Sequence, residues 1–292
     1  MISSAELRSG KGSGDENFPV ASWLIKPQYR PAILAFYEFV RVADDIADHA
    51  TLPSAEKINR LDSLEATLLG ANDEETVGVT LRETLQRRGL SPRHAQDLLS
   101  AFRQDATKLR YADWEDLIDY CSRSAMPVGR FVLDVHGESK ETWPASDALC
   151  AALQIINHLQ DCATDYRQLD RVYIPLDALS AQGIGVEVLD EVRAGPALRR
   201  CIQGLVVRTG ALLQESRGLA PSVGDTRLSL EISVIQSLAS RLLTILSVRD
   251  PLSERVHLTK TETVAMAASG AAKALLSRVA RTVVPAHRYQ TP

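Results

Sequence analysis

Three carboxylates are packed into five residues within the segment FYEFVRVADDIAD, which runs from Phe36 to Asp48. Residues four apart share a helix face, so Asp44 and Asp48 lie one turn apart. Asp45 lies beside them, and Arg41 lies one turn earlier. Like charges at this spacing destabilise an isolated helix by about 0.2–0.5 kcal/mol per pair. The pattern therefore predicts that a countercharge neutralises this face.

A second polar stripe occurs much later in the chain, in the segment QIINHLQDCATDYR. Its Asn157, Asp161 and Asp165 are each four residues apart and so occupy one helix face over about two turns. If the two striped helices face each other, their oxygen atoms meet in one cavity. Proteins bind Mg²⁺ through a few carboxylates together with the phosphates of a substrate. The two stripes together predict a Mg²⁺ site for a phosphorylated substrate.

Two other interpretations of the stripes are weaker. Either stripe alone is more typical of a solvated helix face, but Asp44 follows the apolar run AILAFYEFV and Asp161 follows LQIINHL. A di-iron carboxylate site needs a Glu-x-x-His motif from each of two helices. The chain offers one, from Glu254 to His257, directly after the turn-forming Asp250 and Pro251. Magnesium is favoured over iron.

A diphosphate that leaves an allylic carbon creates a carbocation, so a Mg²⁺–diphosphate site calls for an apolar cavity with aromatic faces. Phe36, Tyr37 and Phe39 stand directly before the first acidic stripe. We interpret Phe36 and Phe39 as core residues and Tyr37 as a candidate for the cavity wall.

Composition narrows the class of protein. The chain of 292 residues is 45% hydrophobic, which is enough for a substantial core, and no boundary divides it. A net charge of −4 with scattered arginines argues against a nucleic-acid partner. The four cysteines show no C-x-x-C spacing and indicate reduced thiols in a cytoplasmic protein.

Neither a signal peptide nor a membrane-spanning helix is predicted from the sequence. The N-terminus MISSAELRSGKGSG lacks an apolar core and does not predict a signal peptide. No window approaches the roughly 18 uninterrupted apolar residues of a spanning helix. This pattern predicts a cytoplasmic protein and leaves peripheral contact with the inner membrane open.

Apolar residues recur with helical period along the chain, and no strand pattern occurs, so we expect an all-α fold. The helix with the first stripe is expected over 27–49 and the one with the second from Pro144 to near Pro175. Pro127 and Gly129 predict a kink that serves packing or a cavity wall. We expect one domain over residues 15–284, between a flexible lead, 1–14, and a tail, 285–292.

Four segments, FVRVADDIAD, YCSRSAMPVG, QIINHLQDCATDYR and RVYIP, resemble the squalene/phytoene synthase family in order and spacing, over roughly residues 15 to 280. The resemblance implies an isoprenoid-synthase helical bundle around a central apolar cavity. It also implies the family reaction, in which two prenyl diphosphates are joined head to head through a cyclopropyl intermediate.

The resemblance assigns roles to individual positions. It implies metal binding by Asp44, Asp45, Asp48, Asn157, Asp161 and Asp165. It implies substrate binding by Arg41, Gln154, Asn157, Arg171 and Tyr173. It implies catalytic contacts near the reacting carbons by Tyr120 and Tyr37.

The segments ENFPVASWL and RDPLSERVHLTK resemble one branch of the family, whose bacterial members form hydroxysqualene in hopanoid pathways. In that branch presqualene diphosphate loses diphosphate, and water quenches the rearranged cation. The resemblance implies Mg²⁺ as cofactor and no NADPH. It also implies pathway partners that make presqualene diphosphate and that reduce hydroxysqualene.

The N-terminal element departs from the wider family. Many head-to-head synthases carry a Ser-x-Ser-Phe element with a basic residue, where this chain has Asp15, Glu16, Asn17 and Phe18. The loss of the two serine hydroxyls and of the basic residue disfavours binding of a second prenyl diphosphate. We predict that Asn17 instead helps to position the quenching water. Two alternatives stay open: a synthase that performs the condensation itself, and a non-catalytic helical accessory subunit, which the intact aspartates disfavour.

Overall fold

The computed structural model describes residues 24–283, and these residues form α-helices, short 3₁₀ turns and no β-strand. The α-helices are α1 Arg30–Ala47, α2 Ser54–Leu69, α3 Thr76–Arg88, α4 Arg93–Asp105, α5 Trp114–Ser124, α6 Met126–His136, α7 Trp143–Leu169, α8 Leu176–Ser180, α9 Pro196–Glu215, α10 Leu219–Ser222, α11 Thr226–Leu246 and α12 Lys260–Val283. The all-α prediction is confirmed. The predicted domain boundaries, and Asn17, lie outside the described residues.

Helix α1 carries the first acidic stripe and forms for local reasons. Pro31 stands in its first turn, where the missing N–H costs nothing. Its buried side chains include Phe36, Phe39, Ala43 and Ile46, which follow the three- and four-residue spacing of an amphipathic helix. Packing of this apolar face against the core fixes the direction in which the acidic face points.

Helix α7 carries the second stripe and, at 27 residues, is the longest of the described helices. It begins with Pro144 in its first turn, as predicted, but ends at Leu169 and not near Pro175. Asp170 stops it by adopting the left-handed conformation, with φ 50°. The chain then runs extended, and the Val172 amide donates to the Leu109 carbonyl at 2.9 Å. This early stop turns the next residues towards the cavity.

The expected kink at Pro127 and Gly129 is a complete break between α5 and α6. Ala125 leaves the helical conformation, and Pro127 occupies the first turn of α6, where proline is tolerated. Gly129 faces α7 so closely that a Cβ would lie 2.6 Å from Cys150 Sγ and closer still to Ser146 Oγ. Val128 and Gly129 line the central cavity, in keeping with the predicted wall.

Helix α11 packs in the core against α7, α9, α10 and α12. Within residues 24–283 it is the one helix long and apolar enough to cross a membrane, and 61% of its apolar window is buried inside the fold. Core helices of water-soluble folds commonly meet the same criterion. In this fold its apolar side chains contribute to the wall of the central cavity.

Candidate active site

One cavity of about 540 Å³ lies between α1, α4, α5, α6, α7, α10 and α11, a size typical of small-molecule sites. Along two of the helices that line it, the cavity-facing side chains change from apolar to acidic. On α1 the lining side chains pass from Ile33 and Phe36 to Asp44 and Asp48 towards the C-terminus. On α7 they pass from Leu149 and Leu153 to Asn157 and then to Asp161 and Asp165.

The acidic part of the cavity opens to solvent, while much of the apolar lining is buried, although Val128 is exposed. The Asp48 side chain is 43% exposed, and Asp161 is also exposed. Phe36 and Leu149, from the apolar stretches, are each 4% exposed. The site is therefore a deep apolar chamber with an acidic mouth, formed by Asp44, Asp48, Asp161 and Asp165.

Burial and neighbouring carboxylates raise the pKa of two mouth residues, Asp44 and Asp165. Burial, followed by the charge of Asp48, raises the pKa of Asp44 well above its usual range even though Arg41 opposes the shift. Burial, followed by the charges of Asp161 and Asp48, raises the pKa of Asp165 to about 7. Each shift means that the ionised mouth would be stabilised by a bound cation.

The donor set of the mouth fits Mg²⁺, because it consists of carboxylate oxygens and the Asn157 side-chain amide. The described residues contain no group of three or more His, Cys, Asp or Glu side chains that could hold one ion. The oxygens instead line two walls of the mouth. That arrangement suits an ion whose coordination shell is completed by phosphate oxygens and water.

Arg41 supplies a countercharge on α1, as the spacing predicts. Its Nη1 donates to Asp44 Oδ2 and its Nη2 to Asp45 Oδ1, each at 2.9 Å. Asp45 is 8% exposed and does not line the cavity. A residue next to Asp44 is rotated by about 100° around the helix, which points it away from the mouth. The structure thus places Asp45 beside Arg41 and not among the side chains that face the cavity.

Beneath the mouth lies a buried polar network centred on Asp105, at the end of α4. The Tyr120 hydroxyl donates to Asp105 Oδ2 at 2.7 Å, and the Tyr173 hydroxyl donates to Oδ1 at 3.1 Å. Arg171 donates to the Asp105 carbonyl at 3.1 Å and to Asp48 Oδ1 at 2.7 Å. Burial raises the pKa of Asp105 to about 6, although Arg171 and the Tyr120 hydroxyl lower it.

The sequence analysis missed Asp105, although one signal was present. An acidic residue at the C-terminus of a helix opposes the helix dipole, so a buried one there needs another explanation. The structure supplies it, because Asp105 accepts hydrogen bonds from the two tyrosines that the family resemblance assigned to the site. All of these side chains, with Arg171, line the cavity.

His158 was also missed, although it lies inside the second motif. Its ring stacks on Tyr173 with centroids 3.4 Å apart, and its Nε2 accepts from the Gln154 amide at 3.0 Å. Burial, with a smaller effect from Arg171, lowers the pKa of His158 to about 3. The imidazole is therefore neutral, and it holds Gln154 and Tyr173 in place on the cavity wall.

The remaining predicted residues are placed as follows. Tyr37 and Arg41 line the cavity from α1, and Gln154 and Asn157 line it from α7. Phe39 is fully buried in the core, as interpreted. Phe36 has both roles, because it stacks on Phe131 at 3.9 Å and also lines the cavity.

This combination of an all-α bundle, two acidic helix faces and an apolar chamber defines a class of protein. The sequence model of the squalene/phytoene synthase family matches residues 12–262, and the chain belongs to that family. A hydroxysqualene synthase from Rhodopseudomonas palustris is 60% identical over 262 residues, which cover 90% of each chain. A hydroxysqualene synthase from Zymomonas mobilis is 48% identical over 278 residues, which cover 94% of each chain.

Solved structures agree with this placement. A squalene synthase from Alicyclobacillus acidocaldarius superposes with a TM-score of 0.70 at 32% identity, over 82% of this chain and 90% of that one. A dehydrosqualene synthase superposes with a TM-score of 0.77 over 94% of this chain and 96% of that one. Its 21% identity supports the fold alone. The fold is the isoprenoid-synthase helical bundle.

Proposed function

We propose that the protein converts presqualene diphosphate and water into hydroxysqualene and diphosphate. The observation that carries the proposal is the graded cavity, in which two acidic helix faces lead into a largely buried apolar chamber. Such a cavity accommodates a charged diphosphate at the mouth and a long hydrocarbon below it. The relatives named hydroxysqualene synthase support this reaction over others of the family.

In this proposal the mouth binds the diphosphate group. Asp44, Asp48, Asn157, Asp161 and Asp165 would hold Mg²⁺, and Arg41 and Arg171 would bind diphosphate oxygens directly. These residues would thereby position an ion that supplies charge neutralisation for the diphosphate and for the negative charge that develops on it. Asp45 acts indirectly, because it holds Arg41 in place through the 2.9 Å ion pair.

The residues below the mouth act on the cation. The C–O bond to diphosphate breaks with both electrons staying on the oxygen, and the cyclopropylcarbinyl cation rearranges within the chamber. Tyr120 and Tyr37 present aromatic rings, whose faces stabilise positive charge. The Tyr173 ring stacks on His158 and Tyr111 and contributes its hydroxyl group to the cavity wall. Hydrogen bonds to Asp105 fix Tyr120 and Tyr173, and His158 is hydrogen-bonded to Gln154 beside them. Enclosure by apolar side chains limits the access of bulk water.

The cation is consumed when a water oxygen donates a lone pair to form the new C–O bond and a proton is released. Because water and not hydride ends the reaction, no NADPH is consumed. We propose that Asn17 helps to position this water. The substrate must come from an enzyme that condenses two prenyl diphosphates, and the product suits an enzyme that reduces hydroxysqualene. We place the reaction in the cytoplasm, at the surface of the inner membrane.

The proposal is tested by incubating the purified protein with presqualene diphosphate and Mg²⁺ in oxygen-labelled water, with and without NADPH. We expect labelled hydroxysqualene in both cases. Squalene that forms only with NADPH would contradict the proposal. So would rapid consumption of farnesyl diphosphate alone, which would indicate the condensation activity.

A further inference from the structure

One cavity-lining carboxyl group has no part in the mechanism described so far. Helix α11 lines the chamber with Leu228, Glu231, Ile232 and Ile235, which follow the spacing of a single helix face. Three of these four side chains are apolar. Glu231 is 4% exposed, so its carboxyl group is enclosed within the fold.

Glu231 is the ionisable member of an otherwise apolar stripe on the cavity wall. Buried ionisable groups in a cavity are common at sites of chemistry, which makes Glu231 a candidate for a chemical role.

Glu231 lies on a different helix from the other acidic residues that line the cavity. The mouth carboxylates belong to α1 and α7, and Asp105 ends α4. Asp105 already accepts hydrogen bonds from two tyrosines.

The proposed reaction needs such a group within the chamber. Water that adds to a carbocation becomes an oxonium ion, which must lose a proton before the alcohol is formed. A side chain that holds the water and accepts this proton also decides between addition of water and loss of a proton from carbon. The amide of Asn17, proposed above to position this water, can form a hydrogen bond to it but cannot accept its proton, and an apolar wall offers no proton acceptor.

We propose that the Glu231 carboxylate holds the water that attacks the rearranged cation and accepts its proton, an inference that rests on the proposed function. The water oxygen forms the C–O bond with a lone pair, and one O–H bond breaks with its electrons staying on that oxygen. The proton moves to a carboxylate oxygen of Glu231. It then leaves with the departing diphosphate or to solvent, which restores the carboxylate.

The test uses Glu231→Gln, which keeps the size of the side chain but removes the proton acceptor, and Glu231→Asp, which keeps the carboxylate. Ser233→Ala is the matched control, because Ser233 is a buried polar residue of the same helix that does not line this cavity. Diphosphate release is measured together with the ratio of labelled hydroxysqualene to hydrocarbon products in oxygen-labelled water.

We expect Glu231→Gln to release diphosphate within about twofold of the unmodified rate and to lower the product ratio by about tenfold or more. Glu231→Asp should recover part of the ratio, and Ser233→Ala should leave it unchanged. An unchanged ratio in Glu231→Gln, or an equal loss of diphosphate release and hydroxysqualene, would overturn the role of Glu231. Absence of hydroxysqualene from the unmodified protein would instead overturn the proposed function, before any variant is compared.

Discussion

The cavity contains two sets of carboxylates that differ in their surroundings. The mouth set lies at an opening, and the pKa values of two of its members, Asp44 and Asp165, are raised by burial and by neighbouring aspartates. Asp105, on the floor, is 4% exposed and accepts hydrogen bonds from Tyr120 and Tyr173. The mouth set is the one that we propose to bind a cation, whereas the floor carboxylate already accepts hydrogen bonds from groups of the protein. Substitutions should therefore affect binding at the mouth and stability at the floor.

The largest expected effect is at the mouth. Asp44→Ala or Asp161→Ala should lower the rate of diphosphate release by about 10²–10³-fold or more, because each removes an oxygen that stabilises the charged site. The helical circular dichroism signal and the unfolding free energy should remain near those of the unmodified protein. Asp190→Ala, at an exposed aspartate outside the cavity, is the control. Full activity in excess chelator, or in both variants, would contradict the metal assignment.

At the floor, stability should be lost. Asp105→Ala leaves two buried tyrosine hydroxyls and Arg171 without this carboxylate, and the free energy of unfolding should fall by about 3–5 kcal/mol. Urea denaturation measures the change, with Asp161→Ala as the comparison. If the two variants lose equal stability, the distinction between mouth and floor fails.

Substitution of Asp45 tests whether this residue binds the metal ion or only supports Arg41. Because Asp45 holds Arg41 and does not line the cavity, Asp45→Asn should lower turnover by about tenfold, roughly the effect of weakening one charged hydrogen bond. Mg²⁺ titration of the rate should show the same half-saturating concentration as the unmodified protein. A large rise in that concentration would show that Asp45 is a metal ligand after all.

Asn17 tests the role of the N-terminal element in the fate of the cation. Asn17→Ala should raise the share of eliminated or otherwise misquenched products by a few fold, with a smaller effect on total consumption, because the amide is proposed to position water. Product analysis by gas chromatography measures this share. A reduced rate with an unchanged product ratio would make Asn17 a packing residue.

The smallest expected effect is a pH dependence of stability at the floor. The pKa of Asp105 is raised from 3.8 to about 6 by burial, so the folded protein binds this proton more tightly than the unfolded chain. The resulting stabilisation is present below about pH 4 and is lost as pH rises through about 6. Asp105→Asn should remove this part of the pH dependence in urea denaturation. Parallel stability–pH curves for the two proteins would refute the assignment.

Local spacing was enough to predict the acidic faces of α1 and α7, because residues four apart must share a helix face. It could not reveal the floor network, which joins Asp105 to Tyr120 and Tyr173 through contacts between distant parts of the chain. The four-residue spacing of Arg41 and Asp45 also indicates that these two side chains share a helix face. It could not show which of the three aspartates turns away from the cavity, since all three are chemically alike. The end of α7 was misplaced because Asp170 stops the helix well before Pro175 prevents its continuation.

The left-handed turn at Asp170 has a thermodynamic consequence. It sets Arg171 between Asp48 at the mouth and the backbone carbonyl of Asp105 at the floor, so one guanidinium group serves both regions. A ligand that draws Arg171 away from Asp48 changes the electrostatic potential at Asp105, and with it the affinity of Asp105 for a proton. By reciprocity, protonation of Asp105 must change the affinity of the mouth for that ligand by the same free energy.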